Sequence, residues 1–197
     1  MNQSIGNKYD KIAKWWDEEH KNSNYGVSQI ERAIKFCKKR NNALDIGCGS
    51  GGRITNKLIS EGFKVTGVDA SIEMIKLAKQ KHPSSNFIHS DICNWNTDKK
   101  FDLVIAWDSI FHLPLKKQKP VLNKLCKFTA KNGILIYTFG DDIGQHTSNW
   151  KNDTFNYSSI GVNENLKILL KNKFILRHLE SDQFPEKHMY IIAMKYE

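Results

Sequence analysis

The sequence predicts an α/β protein with a doubly wound, seven-stranded and mostly parallel sheet. Seven short apolar segments have the composition of buried strands, and most of them alternate with helical segments that carry one apolar stripe. The first of these strands leads directly into a glycine-rich turn and a helix, which is the start of a βαβ unit. The content of 40% hydrophobic and 26% charged residues is typical of a globular domain. Helices are therefore expected on both faces of the sheet.

Length and charge limit the domain organisation and the partners. A chain of 197 residues is expected to form one domain, residues 1–197, with a core large enough for an α/β sheet. The formal net charge is +9, but only 4 of the 30 basic residues are Arg and the lysines are scattered. This pattern disfavours a nucleic-acid partner. The sequence gives no indication of the oligomeric state.

Location and metal content are also constrained by the sequence. Residues 1–20 are polar without an apolar run, and no segment reaches a membrane-spanning length, so we expect a cytoplasmic protein without membrane association. The cysteines form no C-x-x-C pair and have no His at ligand spacing; they are Cys37, Cys48, Cys93 and Cys126. Neither a metal site nor a disulfide framework is expected.

Two helices are predicted before the first strand. Residues 9–19 place Ile12, Trp15 and Trp16 on one side of a helix. Residues 28–40 carry a continuous apolar stripe that begins at a capping box formed by Ser28 and Glu31. The second helix is expected to pack against the sheet.

Residues 43–52 read A-L-D-I-G-C-G-S-G-G, an apolar strand followed by a glycine-rich turn. Gly47, Gly49 and the glycines after them allow a tight turn and the close approach of a ligand. Such a turn suits either the pyrophosphate of a dinucleotide or S-adenosylmethionine, which carries no phosphate. Asp45 favours the second ligand, because a carboxylate there repels phosphates but can hold an ammonium group directly or through water.

Two more acids follow the next predicted strands. A helix over residues 53–61 stops at Gly62, and the strand over residues 63–68 ends at Asp69. Asp69 can accept both ribose hydroxyls of an adenosine, with the role of a helix N-cap as the alternative. After a helix over residues 71–81 and a strand over residues 86–89 comes Asp91. Parallel strands bind ligands at their carboxyl ends, so the three acids are expected at one site.

The acid followed by G-x-G-x-G, residues 45–51, resembles the first motif of the class I S-adenosylmethionine-dependent methyltransferases. Ser90-Asp91-Ile92 resembles the adenine-binding pattern of the same family, and the resemblance extends from about residue 9 to residue 195. It implies a Rossmann-like methyltransferase fold with an antiparallel last strand, S-adenosylmethionine as cofactor, and a lid helix within residues 1–27. Simple packing at the domain edge is the alternative for the lid. The implied cofactor-binding residues are Tyr9, Trp16, Asp45, Gly47, Cys48, Gly49, Asp69, Ala70, Met74, Asp91, Ile92, Ala106 and Trp107.

The fourth strand leads to the candidate catalytic residues. Residues 101–106 form an apolar run typical of a strand buried on both faces, and residues 107–114 read W-D-S-I-F-H-L-P. In the resembled family this segment passes the reactive methyl group. His112 is the candidate general base because an unperturbed His titrates near neutrality. Asp108 can bind a cationic acceptor or orient His112, and the alternative role of His112 is to cap the loop or orient Trp107.

The C-terminal third supplies the substrate candidates. After a helix over residues 116–128 and a strand over residues 133–139, residues 140–159 lack clear periodicity but contain several aromatic side chains. We expect this segment to be an irregular loop that covers the substrate, with Tyr157 in contact or merely packed. A further helix precedes two strands, residues 174–179 and 189–194, which form an antiparallel hairpin. His188, just before the last strand, is the other candidate substrate residue.

Together these features predict an S-adenosylmethionine-dependent methyltransferase that acts on a small-molecule acceptor by in-line displacement. The protein would hold the nucleophile in line with the methyl group and exclude water. The F-D-x-V/I and H-L-P segments are similar to those of small-molecule methyltransferases. A methyltransferase acting on RNA, DNA or protein remains an alternative, as does a nucleotide-binding protein or dehydrogenase with the same fold.

Overall fold

The computed structural model describes residues 4–196. The α-helices are α1 (Ile5–Glu19), α2 (Val27–Lys35), α3 (Arg53–Ser60), α4 (Ile72–Lys81), α5 (Leu115–Phe128) and α6 (Gly161–Lys171). A short 3-10 helix covers Ile110–His112. The strands are β1 (Asn42–Ile46), β2 (Lys64–Asp69), β3 (Asn86–His89), β4 (Phe101–Ala106), β5 (Thr129–Gly140), β6 (Ile143–Trp150), β7 (Asp153–Ile160), β8 (Phe174–Ser181) and β9 (His188–Lys195).

Within residues 4–196, seven strands form the main sheet in the order β3-β2-β1-β4-β5-β9-β8. The first five of these strands pair in parallel, and β9 is antiparallel to both of its neighbours. The order reverses between β1 and β4, which is the position where open α/β sheets bind ligands. The predicted fold class, including the antiparallel last strand, is confirmed.

Alternate residues of the central strand β4 pack against the helices on opposite faces of the sheet. Leu103 and Ile105 belong to the apolar cluster that contains Ile30 of α2. Val104 belongs to the opposite cluster, together with Leu125 of α5. Because β4 is covered on both faces, its apolar run has no polar alternation. The core therefore fixes the carboxyl ends of β1 and β4 at one edge, where the ligand site lies.

The prediction of an irregular loop over residues 140–159 is wrong. Residues 143–160 form a two-stranded antiparallel sheet, β6 and β7, in which Trp150 pairs with Asp153. The two-residue turn is Lys151-Asn152, with φ values of 48° and 59°. Turns of this kind favour Asn-Gly or Asp-Gly, so a Lys-Asn turn lacks the usual sequence signal for a hairpin.

The predicted capping box at the start of α2 is also wrong. The helix begins at Val27 after Gly26, whose φ is 82°, and no side chain caps it. Ser28 lies inside the first turn and donates to Gln29 Oε1 at 2.7 Å. A Cβ on Gly26 would lie 2.6 Å from Trp107 Nε1, so close packing on this indole requires glycine here. The helix ends at Lys35 rather than at residue 40.

Candidate active site

A cavity of about 710 Å³ opens at the carboxyl ends of β1, β2 and β4. Helix α1 contributes Tyr9 and Trp16 to its wall, and the turn between β8 and β9 contributes Gln183. The volume lies within the range of roughly 300–1,000 Å³ that is usual for small-molecule sites. The position agrees with the rule that ligands bind outside the carboxyl ends of strands where the strand order reverses.

The glycine-rich turn after β1 forms the floor of this cavity. Gly47 has φ 74°, and a Cβ there would lie 2.3 Å from the Cβ of Ser109. Gly49 has φ 55°, and a Cβ there would meet no atom within 4 Å. The amide of Gly47 donates to the carbonyl of Val68 at 2.8 Å, which ties the turn to β2. The turn is thus held by the sheet and leaves open space for a ligand at Gly49.

Asp45 is a buried carboxylate in the cavity wall, and 3% of its surface is exposed. Its one side-chain partner among residues 4–196 is Thr55 Oγ1, at a long 3.5 Å. Burial, and then the charge of Asp69, raise the pKa of Asp45 to about 7. A carboxylate that is costly to ionise in this way is matched by a ligand that brings a positive charge to it.

Asp69 organises the backbone around the turn. One carboxylate oxygen accepts from the amide of Gly49 at 2.9 Å, and the other accepts from the amide of Ser71 at 2.8 Å. Each oxygen keeps a further lone pair for a ligand hydroxyl. Burial raises the pKa of Asp69, and these two backbone hydrogen bonds oppose the rise. Asp69 therefore shapes the glycine-rich turn as well as facing the cavity.

Helix α1 is attached to the rim of the cavity from the side of the glycine turn. Asp10 Oδ1 accepts from Ser71 Oγ at 2.6 Å, and Asp17 Oδ1 accepts from Ser50 Oγ at 2.5 Å. A Cβ on Gly6 would lie 2.0 Å from the carbonyl oxygen of Ala70, so this helix packs directly on the backbone. The helix is part of the wall rather than a loose appendage.

The hairpin β6–β7 holds α1 from the opposite side. Lys11 Nζ pairs with Asp153 at 2.8 Å, and the rings of Trp16 and Trp150 lie 6.0 Å apart in an edge-to-face arrangement. Tyr9 contacts Phe155, with ring centroids 5.5 Å apart. Aromatic pairs of this kind stabilise the packing by more than the burial of their apolar area alone. The hairpin thus packs against α1 on the side away from the glycine turn.

Both ring nitrogens of His112 are engaged. Nδ1 lies 3.0 Å from the carbonyl oxygen of Asn156 on β7, and Nε2 lies 3.1 Å from Tyr9 Oη. Since a carbonyl only accepts, Nδ1 carries the proton and Nε2 accepts from the Tyr9 hydroxyl. Burial lowers the pKa of His112, so the neutral imidazole dominates at neutral pH.

Asp108 has a strained backbone in the cavity wall. Its φ is 48°, a left-handed value that is uncommon for residues other than glycine, and its amide donates to Thr138 Oγ1 at 2.8 Å. Its Oδ1 lies 2.9 Å from Nε2 of His188. Strain of this kind collects at functional sites. His188 stands behind Asp108 and holds its carboxylate.

The cavity brings together most of the residues predicted from the sequence. Those that line it are Tyr9, Trp16, Asp45, Gly47, Cys48, Gly49, Asp69, Ala70, Met74, Asp91, Ile92, Trp107, Asp108 and His112. Ala106 is buried at the end of β4, and Tyr157 stacks against Phe111 and His146. Neither of them, nor His188, is part of the cavity lining, and the substrate contacts of Tyr157 and His188 stay predictions.

The cavity lining also contains residues that the sequence did not single out. Among them are Tyr25, Arg53 and Gln183. The guanidinium of Arg53 lies 5.6 Å from the centroid of the Tyr25 ring, and its Nε donates to the Tyr25 carbonyl oxygen. Arg53 follows the glycine turn directly, in a chain whose basic residues are mostly Lys. An Arg at this position is a sequence signal that could have marked it as a ligand-binding residue. Gln183 Nε2 donates to Tyr25 Oη. The two residues lie 158 positions apart, so no local sequence pattern reveals this contact.

Comparison with known proteins identifies a family whose model covers the glycine-rich turn. Residues 43–133 match the family model described as a methyltransferase domain. The ubiquinone biosynthesis O-methyltransferase of Rickettsia typhi is 31% identical over 186 residues, which cover 80% of this chain and 73% of that protein. The chain belongs to the class I S-adenosylmethionine-dependent methyltransferases. As a methyltransferase of this class it uses S-adenosylmethionine, and the alternatives of a dehydrogenase or of a binding protein without methyl transfer no longer apply.

Solved structures with low identity show that the methyltransferase fold extends over nearly the whole chain. The magnesium protoporphyrin IX methyltransferase of Synechocystis, with bound S-adenosylmethionine, superposes with a TM-score of 0.71 and 19% identity, covering 97% of this chain and 95% of that one. An S-adenosylmethionine-dependent methyltransferase of Clostridium acetobutylicum gives a TM-score of 0.72 and 16% identity, covering 95% and 99%.

The residues present fit S-adenosylmethionine. The methyltransferase offers open space at Gly49, a buried acid at Asp45 and a cation at Arg53, which suit a ligand with an ammonium and a carboxylate. Among residues 4–196, no group of three His, Cys, Asp or Glu side chains is placed to hold a metal ion. In the same range no helix is long and apolar enough to span a membrane, and the cytoplasmic location stays a prediction.

Proposed function

We propose that this methyltransferase transfers a methyl group to a small-molecule acceptor, with His112 as the general base. One observation carries the proposal: the glycine turn and His112 line the same cavity of about 710 Å³, and α1 forms part of its wall. A covered cavity of this size suits a small acceptor better than a polymer. The name of a relative agrees, since the Rickettsia typhi protein is a ubiquinone biosynthesis O-methyltransferase.

We assign the cofactor groups to the side of the cavity around the glycine turn, which we call the cofactor side. Asp45 pairs with the ammonium group and Arg53 with the carboxylate of the methionine part. Asp69 accepts from the ribose, and Asp91 with Ile92 holds the adenine. Bound S-adenosylmethionine supplies a methyl group on a positively charged sulfur, which is already a strong electrophile. The protein therefore has to place the acceptor, exclude water and remove a proton.

We call the opposite part of the cavity, built by Tyr9, Asp108 and His112, the acceptor side. Neutral His112 presents a basic Nε2, and its Nδ1 proton is fixed by the Asn156 carbonyl. Asp108 provides a negative charge next to the base. In this arrangement the whole chain is one domain, with a lid within residues 1–27 and the hairpin β6–β7 as the cover of the acceptor side.

The experiment that tests this proposal uses S-adenosylmethionine labelled in its methyl group. The enzyme is incubated with a small-molecule cell extract and, separately, with total RNA, DNA and protein from the same cells. Label should appear in a low-mass product identified by mass spectrometry, and the extract without enzyme is the control. Label confined to RNA, DNA or protein would contradict the small-molecule acceptor.

A further inference from the structure

Helix α1 places the Tyr9 hydroxyl against the proposed base in the wall of the cavity. Tyr9 lines the cavity, and its Oη lies 3.1 Å from His112 Nε2. The sequence suggested only a cofactor contact for this residue. The hydrogen bond instead connects it to the proton-accepting atom on the acceptor side. This argument rests on the proposed role of His112.

The base has no other free position for an acceptor proton. Nδ1 donates to Asn156, and the single lone pair of Nε2 accepts from Tyr9. A proton from the acceptor therefore reaches His112 either through the Tyr9 oxygen or after Tyr9 has moved away.

Tyr9 is held in place from two sides, which argues against its displacement. Its ring contacts those of Trp16 at 5.8 Å and Phe155 at 5.5 Å. The next residue, Asp10, accepts from Ser71 Oγ at 2.6 Å. Moving the Tyr9 ring would break its contact with Phe155 of the hairpin, and shifting the helix backbone would break the hydrogen bond between Asp10 and Ser71.

We infer that Tyr9 is a catalytic residue that relays the acceptor proton to His112. The acceptor O–H bond breaks as its oxygen bonds to the methyl carbon and the carbon–sulfur bond of the cofactor breaks. The acceptor proton passes to Tyr9 Oη while the Tyr9 proton passes to His112 Nε2. The products are the methyl ether, the neutral thioether and a protonated His112. The relay thus serves an acceptor whose nucleophilic atom, a hydroxyl oxygen in this proposal, gives up a proton.

The electrostatics suit a relay in which Tyr9 never carries a full charge. Burial raises the pKa of Tyr9 well above its ordinary value, and the nearby Tyr157, Asp69 and Asp108 act in the same direction. On the other partner, burial lowers the pKa of His112, assisted by Lys8 and opposed by the Asn156 carbonyl and Asp108. A phenol that stays protonated and an imidazole that stays neutral allow both protons to move together.

The variant Tyr9→Phe removes the hydroxyl and keeps the ring. With labelled S-adenosylmethionine and the small-molecule extract as acceptor source, the turnover rate should fall about 10- to 100-fold while the KM for S-adenosylmethionine stays within about twofold. The double variant Tyr9→Phe with His112→Ala should be no slower than His112→Ala alone, because the two groups act as one unit. Tyr196→Phe, at the surface, is the matched control.

A raised KM with unchanged turnover would return Tyr9 to a cofactor contact and overturn the relay, as would additive losses in the double variant. Nitrogen NMR of the ligand-free enzyme gives a readout that needs no acceptor. Neutral His112 should show a protonated Nδ1, and its Nε2 resonance should move in Tyr9→Phe to the position of a nitrogen without a donor. An Nε2 resonance that does not move would show that Tyr9 and His112 are not hydrogen-bonded, and would overturn the relay. If the wild-type enzyme labels nothing in the extract, the proposed function fails. The Nε2 resonance then tests by itself whether Tyr9 donates to His112.

Discussion

The cofactor side and the acceptor side of the cavity are assembled in different ways. On the cofactor side, residues 45–52 and Asp69 lie at or just beyond the ends of two neighbouring parallel strands, and backbone amides hold them. On the acceptor side, Tyr9, His112 and Asn156 come from three separate parts of the chain and meet through side-chain contacts. The sheet fixes the first group, whereas the packing of α1 and of the hairpin fixes the second.

This difference predicts a division of labour between the two sides. A change on the cofactor side should alter the affinity for S-adenosylmethionine, because it disturbs the turn or its charges. A change on the acceptor side should alter turnover, because it disturbs the proton path and leaves the turn intact. Substitutions that fail to separate affinity from turnover would break the comparison.

The largest effect is expected for His112→Ala. Loss of the general base should lower kcat by about 10²-fold or more, with the affinity for S-adenosylmethionine nearly unchanged. Because burial lowers the pKa of His112, the wild-type rate should stay level from neutral pH down and fall only below the ordinary value of about 6.5. This acidic limb should vanish in the variant.

The measurements are calorimetric titration with S-adenosylmethionine and initial rates against pH with the identified acceptor. His178→Ala is the matched control, since His178 lies on β8 and contacts Glu180 rather than the cavity. Equal losses of affinity and turnover in His112→Ala would mean that the residue is structural.

A smaller effect, on affinity, is expected for Asp69→Ala. The change removes the acceptor of the Gly49 and Ser71 amides together with the proposed ribose contact. Hydrogen bonds to a charged group contribute roughly 1.5–3 kcal/mol each, so the Kd for S-adenosylmethionine should rise at least tenfold.

Asp102→Ala is the control for Asp69→Ala. It also removes a carboxylate that accepts from a backbone amide, that of Asn41 at 2.9 Å, but near the opposite edge of the sheet. Titration calorimetry on both variants separates loss of the site from general destabilisation. An unchanged Kd in Asp69→Ala would place the ribose elsewhere.

Arg53→Gln tests the residue that the sequence did not single out. If Arg53 pairs with the cofactor carboxylate, its replacement should raise the Kd for S-adenosylmethionine about tenfold. Adenosine lacks that carboxylate, so its binding should be unaffected. Arg40→Gln, which removes a surface pair with Glu61, is the matched control. Equal weakening of both ligands would contradict the assignment.

The two sides also differ in how far the sequence predicted them. The acids and glycines of the cofactor side could be located because each lies at or just after the end of a short apolar strand, a local pattern. His112 was also found from its distance to the end of β4. Its partners Tyr9 and Asn156 could not be paired with it, because 103 and 44 residues separate them along the chain.

The missed hairpin has a similar cause. The hairpin β6–β7 was missed because its turn is Lys151-Asn152, where the left-handed backbone is adopted without glycine. Neither Tyr157 nor His188 lines the cavity: Tyr157 stacks on Phe111, and His188 lies against the Asp108 carboxylate, so their substrate contacts stay predictions. The position of a residue in the sequence predicts which strand end it follows, but it does not predict whether its side chain reaches the cavity.

The smallest predicted effect concerns Asp45 and the pH dependence of cofactor binding. With its pKa raised to about 7 in the free enzyme, Asp45 is about one-tenth charged at pH 6 and half charged at pH 7. The ammonium of S-adenosylmethionine, with an ordinary α-amino pKa near 7.7–8.0, stays mostly charged throughout this range. If the two groups pair, affinity should rise about fivefold from pH 6 to pH 7, and binding should release protons.

Asp45→Asn provides the comparison, because the amide keeps the shape and cannot ionise. Its affinity should be lower at pH 7 and nearly independent of pH. The raised pKa also has a consequence for the free enzyme: the folded state keeps a proton that the unfolded chain loses, so the contribution of Asp45 to stability declines as pH rises from about 4 to 7. The free variant should therefore melt higher than wild type at pH 8, by thermal unfolding. A variant that binds as tightly as wild type at pH 7, or that keeps the wild-type pH dependence, would remove Asp45 from the ammonium site.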